Sequence, residues 1–183
     1  MEILEMFMNM QTAAMKYKTK EPLLLRRRAT SLSRFRSMGI GEELALWGFT
    51  STFATEEAYN HPKVVEFLGK AEIEFRVPVG VYCVPIGEEA MSWKELDDIV
   101  LPHGTRVRVL QLQITGDSPS LILEVFPTAI QVADVEQYIT YAERVADIVG
   151  EDNEGIGVTD IRKSRFALPI IFSDPIFPRA VSE

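Results

Sequence analysis

The sequence holds one cysteine, Cys83, and two histidines, His61 and His103, among 183 residues. A single thiol closes no intramolecular disulfide and supplies no thiolate metal cluster, and this fits a reducing compartment. Neither histidine has a partner at ligand spacing such as i, i+4, so no metal site is expected. Each sits beside a proline or a glycine, and both are expected to be exposed loop residues. No run of eighteen apolar residues occurs, and the start, with Glu2 and Glu5, lacks the basic region of a secretory signal. The expectation is a soluble protein, unexported by the common route, with no membrane partner. Phosphate loops of the G-x-x-x-x-G-K type are missing, Gly39-Ile40-Gly41 is too short for a dinucleotide fingerprint, and no nucleophile-elbow glycine pattern is found. Internal repeats and low-complexity tracts are also absent.

What remains is 46% apolar and 25% charged, the balance of an ordinary globular domain able to bury a core without metals or disulfides. The charge, net -8, is unevenly placed. Residues 1–36 carry eight basic and three acidic residues, net +5, and the rest carries eleven against 24, net -13. That balance argues against a dominant nucleic-acid role, since phosphate neutralisation needs a basic face. The stretch from Lys16 to Arg36, which includes the triple arginine Arg26-Arg27-Arg28, is the one candidate patch, and a triple arginine reads first as a solvated edge.

Ile3, Phe7, Met10, Ala14 and Tyr17 share one face of a helix expected from about Glu2 to Lys18. Five of the seven methionines fall in the first fifteen residues of the chain, which suits core contact or an adaptable partner surface. Leu23 to Arg28 reads as a strand, Ser31 to Met38 as a short helical turn, and Trp47 to Thr52 as a second strand. Thr55 or Thr52 is placed to cap a helix through Tyr59, and Pro62 to open another ending by Gly69. From Ala71 the period becomes two, with Ile73, Phe75 and Val77 alternating against charged residues. Short strands are expected over Val81–Ile86 and Asp98–Leu101, and a hairpin runs from Thr105 through the Gly116–Pro119 turn to Phe126. Ser92–Asp97 reads as a helical turn. Val132 to Val149 forms the longest apolar helical stripe, closed by Gly150. Glu151 to Asp160 is read as a solvated acidic loop, because it does not match the calcium-loop pattern. The organisation expected is a domain over residues 1–150 and an acidic loop with an extended arm over 151–183.

Three segments acquire meaning together: Leu24-Leu25-Arg26-Arg27, then Gly48-Phe49-Thr50-Ser51-Thr52-Phe53, then Asp97-Asp98-Ile99-Val100-Leu101-Pro102-His103-Gly104-Thr105-Arg106-Val107-Arg108-Val109. In this order the chain resembles the mono-ADP-ribosyltransferases of the R-S-E type, the cholera-toxin-like and ecto-enzyme branch, over roughly Leu23 to Leu110. The family pattern is a strand ending in Arg, a G-F-x-S-T-S strand, and a carboxylate leading into V-L-L-P-x-G-T. The resemblance implies an α+β fold with a split β-sheet core, flanking helices, an extended C-terminal tail and a cleft for NAD.

Carried over by position, Arg26 or Arg27 would bind the NAD phosphates, and Ser51 with Thr52 would brace the nicotinamide end. Asp98 would be the catalytic carboxylate, so Asp98, Arg26 and Ser51 form the implied catalytic set. Arg26, Arg27, Thr50, Ser51, Thr52 and Phe53 form the implied dinucleotide-binding set. Asp98 is one methylene shorter than the family's Glu, Leu96 stands at the outer Glu of an E-x-E pair, and Phe53 replaces the second serine. Glu95 and Asp97 offer another carboxylate pair, in a slipped register. The chemistry suits these residue types. A carboxylate stabilises positive charge that develops on the ribose as nicotinamide leaves. An arginine fork matches a pyrophosphate, and Trp47, Phe49 or Phe53 could stack near the nicotinamide.

Two functions follow from the resemblance. One is transfer of ADP-ribose from NAD to a protein acceptor inside a host cell, as by a phage or viral effector in the cytoplasm. The other is a catalytically inactive module of a virion or other assembly, oligomeric through the Met-rich helix and the C-terminal arm.

Overall fold

The computed structural model describes residues 8, 9, 11–29, 32, 35–46, 49–86 and 98–127. Besides helical residues at 8, 9 and 11–14, they include eight strands and two short helices: β1 (Leu23–Ala29), β2 (Glu43–Ala45), β3 (Thr50–Thr52), α1 (Glu56–Tyr59), α2 (Pro62–Leu68), β4 (Ala71–Val77), β5 (Val84–Ile86), β6 (Asp98–Leu101), β7 (Arg106–Gln113) and β8 (Ser120–Val125). The strands divide into a five-stranded sheet in the order β1-β4-β8-β7-β2 and a three-stranded sheet in the order β3-β6-β5. A core split into two sheets is what the resemblance implies.

The larger sheet follows from period-two patterning. In β4, Ala71, Ile73, Phe75 and Val77 are buried and Glu72 and Arg76 are exposed. In β8, Leu121, Leu123 and Val125 are buried in the same alternation. Pairing is antiparallel except between β4 and β8, which run parallel with Ile73 opposite Leu121 and Phe75 opposite Leu123. One face is therefore apolar, and Ile99 and Leu101 of the smaller sheet belong to the same core cluster. Burying a side chain such as Phe75 is worth about 2–3 kcal/mol. The opposite face carries a row of alternating charge, in which Glu43 accepts from Arg108 at 2.8 Å and Arg106 at 3.0 Å, and Arg108 lies 3.6 Å from Glu124.

The helices are short and locally specified. Thr55 caps α1, its hydroxyl accepting from Ala58 N, with Glu56 and Glu57 in the first turn. Pro62 opens α2 directly after its cap His61, and Gly69, at φ +92°, ends it.

Three expectations are corrected. The first helix does not reach Lys18: residues 11–14 are helical, 15 and 16 turn, and Lys18 lies extended opposite Tyr82. The cause is Thr19, whose N–H donates to Val81 O and whose hydroxyl donates to Pro78 O at 2.7 Å and accepts from Val81 N. These bonds draw the chain straight. The triple arginine is not a solvated edge, since Arg27 and Arg28 are 3% and 8% exposed. His103 is buried rather than exposed, in a turn whose backbone the Gln11 side chain clamps, donating to the His103 carbonyl at 2.8 Å and accepting from its N–H at 3.1 Å.

His61 is exposed, as expected. Cys83 is buried, and burial pushes its thiol up to about 12, which keeps it protonated and unreactive at neutral pH. Trp47 and Gly48, the Ser92–Asp97 turn with Glu95 and Asp97, the helix over 132–149 and the arm from 151 lie outside the described residues. So does most of the Met-rich start.

Candidate functional site

Strand alternation separates the arginines of β1. Leu23, Leu25, Arg27 and Ala29 occupy its core-facing side, and Leu24, Arg26 and Arg28 the other. Arg27 reaches from the core side across to β3, where its Nη1 donates to Ser51 O at 3.0 Å. The strand segments carrying arginine and serine are thereby joined by a side chain as well as by backbone. The backbone junction is one residue away: Arg26 N–H donates to Phe53 O at 3.0 Å, and Arg26 O accepts in return from Phe53 N–H at 2.7 Å. This reciprocal bridge is where the two sheets meet.

Arg28, on the far side of β1, is fixed by the corner between α1 and α2. It donates to Tyr59 O at 3.1 Å and to Asn60 Oδ1 at 2.8 Å, and its guanidinium stacks 4.1 Å from the Tyr59 ring. Glu72 lies 3.9 Å away. Burial holds the Tyr59 phenol well above its ordinary range, so it remains neutral beside these cations. Arg26 is the most exposed of the three arginines, 4.0 Å from Glu56 and 5.7 Å from the Tyr59 ring.

On β3, Thr50 and Thr52 are buried and Ser51 half-buried. The Thr52 hydroxyl donates to Ile99 O at 2.6 Å, tying β3 to β6 beyond their ladder. The ladder pairs Thr50 with Leu101, Ser51 with Val100 and Thr52 with Ile99. Asp98 opens β6 and is registered opposite Ile86 of β5. One further step of the β3–β6 register sets it beside Phe53, hence at the end of the small sheet where Arg26 crosses to Phe53. The other end of β6 closes in the Pro102–Thr105 turn, held by Thr105 Oγ1 donating to Pro102 O at 2.7 Å and by Gly104 at φ +82°. Among the described residues, no group of three or more His, Cys, Asp or Glu side chains is placed to hold a metal ion.

The structure thus gathers Arg26, Arg27, Thr50, Ser51, Thr52, Phe53 and the Asp98 position along β1, β3 and the start of β6. Phe49 is buried in the same approach to β3. Sequence reasoning did not find the Arg28–Tyr59–Asn60 corner, although the alternation of β1 already sets Arg28 with Arg26 and against Arg27. Gln11 as a clamp on His103 carried no signal, being 92 residues distant in the chain.

Neither a family model nor a curated protein matches the chain by sequence. Solved structures match by fold. C3larvin toxin, an ADP-ribosyltransferase from Paenibacillus larvae, superposes with a TM-score of 0.52 at 15% identity, covering 68% of this chain and 77% of that one. C3stau2 from S. aureus, solved with NAD, gives a TM-score of 0.52 at 13% identity, over 68% and 71%. An ADP-ribosyltransferase from Clostridium botulinum gives 0.52 at 13%, over 68% and 70%. The chain is similar to these proteins in having an ADP-ribosyltransferase-like fold with two β-sheets.

Proposed function

We propose that this protein is a mono-ADP-ribosyltransferase that transfers ADP-ribose from NAD to a protein side chain inside a host cell. The observation that carries this reading is the bond from Arg27 Nη1 to Ser51 O, which couples the arginine strand to the serine strand at the junction of the two sheets. Of the two candidate arginines, Arg27 is taken for the phosphate role because its side chain is the one joined to the serine strand, whereas Arg26 lies 4.0 Å from Glu56 of α1. The donor set suits an anionic dinucleotide: a guanidinium fork, the hydroxyl of Ser51 and, at the start of β6, a carboxylate to balance positive charge on the ribose. In this reading Arg27 binds the pyrophosphate, Ser51 positions Arg27 and the nicotinamide end, and Asp98 stabilises the ribose. Thr52 holds β3 against β6, so that the arginine and the carboxylate keep their separation.

The test is transfer of label from a tagged NAD into a cell extract and into the protein itself. Arg27→Lys and Asp98→Asn are expected to lower labelling ~100-fold or more, the scale of losing a positioned charge. Arg26→Lys should retain most of it. A folded wild-type protein that neither binds NAD nor labels any acceptor would overturn the reading.

A second reading, a catalytically silent module of a virion or other assembly, is favoured by Phe53 at the position of a serine and by the deep burial of Arg27. It predicts no NAD binding, together with stable association with a structural partner.

A further inference from the structure

We infer that the segment Lys16–Lys20 is a docking edge for an extended acidic segment of a partner protein. Its backbone is pinned on one side. Thr19 N–H donates to Val81 O, Cys83 N–H to Tyr17 O and Gly80 N–H to Thr19 O, and the Thr19 hydroxyl adds bonds to Pro78 O and Val81 N. Residues 17 and 19 therefore spend their inward bonds on 80–83, and Lys18 faces Tyr82 as a non-hydrogen-bonded antiparallel pair. In that geometry the Lys18 N–H and C=O point away from the protein, and among the described residues no backbone bond engages them. The result is a short, preformed strand edge whose donor and acceptor are open among the described residues.

The side chains give that edge a sign. Lys16, Lys18 and Lys20 are exposed, and among the described residues none is in an ion pair, although Lys18 Nζ lies 4.5 Å over the Tyr82 ring. Arginines of the strands are treated otherwise: Arg26, Arg28, Arg76, Arg106 and Arg108 each lie against a glutamate. Three lysines within five residues, unmatched among the described residues, are thus a local excess on a chain of net charge -8. Lysines on an edge repel another copy of the same edge and so guard against self-pairing. They favour a strand whose facing residues are acidic, where opposite charges across a strand pair add to the main-chain bonds. A peptide, unlike a phosphodiester, supplies both an acceptor for the Lys18 N–H and a donor for its carbonyl. Tyr17 and Val79, each about half exposed, offer apolar contact for the intervening side chains.

The experiment titrates the full-length, ¹⁵N-labelled protein with a synthetic alternating Glu-Val peptide, its Lys-Val counterpart and an oligothymidine. The expected result is a shift and slowed hydrogen exchange at the Lys18 amide with the acidic peptide alone. Charge reversal of Lys16, Lys18 and Lys20 to Glu should weaken binding about tenfold or more. Lys18→Pro removes the outward donor and should abolish binding while leaving the rest of the spectrum in place. An unperturbed Lys18 amide, peptide binding undiminished in both variants, or equal shifts with the oligonucleotide would each overturn the inference. NAD does not enter the readout, so this inference and the transferase reading fail separately.

Discussion

The two sheets are built on different terms. The five-stranded sheet has strands of up to eight residues, a core-facing side that is apolar but for Arg27, and a laddered charged face, and its pairing repeats much the same information along its longer strands. In the three-stranded sheet, strands of three and four residues carry two buried threonines, and side-chain bonds from Thr52 to Ile99 and from Arg27 to Ser51 add to its short ladders. The larger sheet is stabilised by area removed from water; the smaller shares that core through Ile99 and Leu101 and adds a few polar contacts in a dry setting. The candidate site lies on the sheet with fewer ways to hold itself. Its geometry therefore depends on the larger sheet, through the reciprocal bridge between Arg26 and Phe53, the bond from Arg27 to Ser51 and the shared core.

Phe75→Ala tests the larger sheet and carries the largest expected effect. Phe75 is fully buried between Leu25 and Leu123 in the sheet registers, so truncation should cost about 3–5 kcal/mol in chemical denaturation and loosen both sheets together. Unfolding of the small sheet ahead of the large one in that variant would break the dependence just described. Thr52→Val should cost less, about 1–3 kcal/mol, since it leaves the buried Ile99 carbonyl without its hydroxyl donor. Its signature is local: amide exchange should quicken in β3 and β6 while β4 and β8 keep their protection. The smallest effect belongs to Glu43→Gln on the charged face. The hydrogen bond from Arg108 holds the Glu43 carboxyl below the usual carboxylate range. A group shifted down contributes stability above its ordinary pKa and loses it as pH falls through the lowered value. The variant should therefore match the wild type in acid and differ only slightly near neutrality, less so in high salt, because the pair lies at the solvated surface of the sheet.

The sequence made much of the larger sheet legible. Ile73, Phe75 and Val77 announce β4, the Gly116–Pro119 turn announces the β7–β8 hairpin, and Thr55, Pro62 and Gly69 mark the ends of the two helices. Each signal is local, carried by residues within a few positions of the structure they specify. The motif segments around Arg26, Ser51 and Asp98 were legible only as a resemblance, since three short strands have too little periodicity to declare a pairing. The straightening of residues 17–19 by Thr19 lay beyond reach for the same reason, its partners being some sixty residues away.

By itself, then, the sequence determined the strand alternation, the turns and caps, and the set of arginine, hydroxyl and carboxylate residues from which a site is drawn. Tertiary structure alone decided that Arg27 meets Ser51, that Arg28 is locked against Tyr59 and Asn60, that Gln11 clamps the backbone of a buried His103, and that the Lys18 N–H and carbonyl face outward with no backbone partner among the described residues. The physical reason is one of range. Periodicity and capping act through neighbours along the chain, whereas the burial of a charge and the partner of a hydrogen bond are fixed only when distant segments displace water from between them.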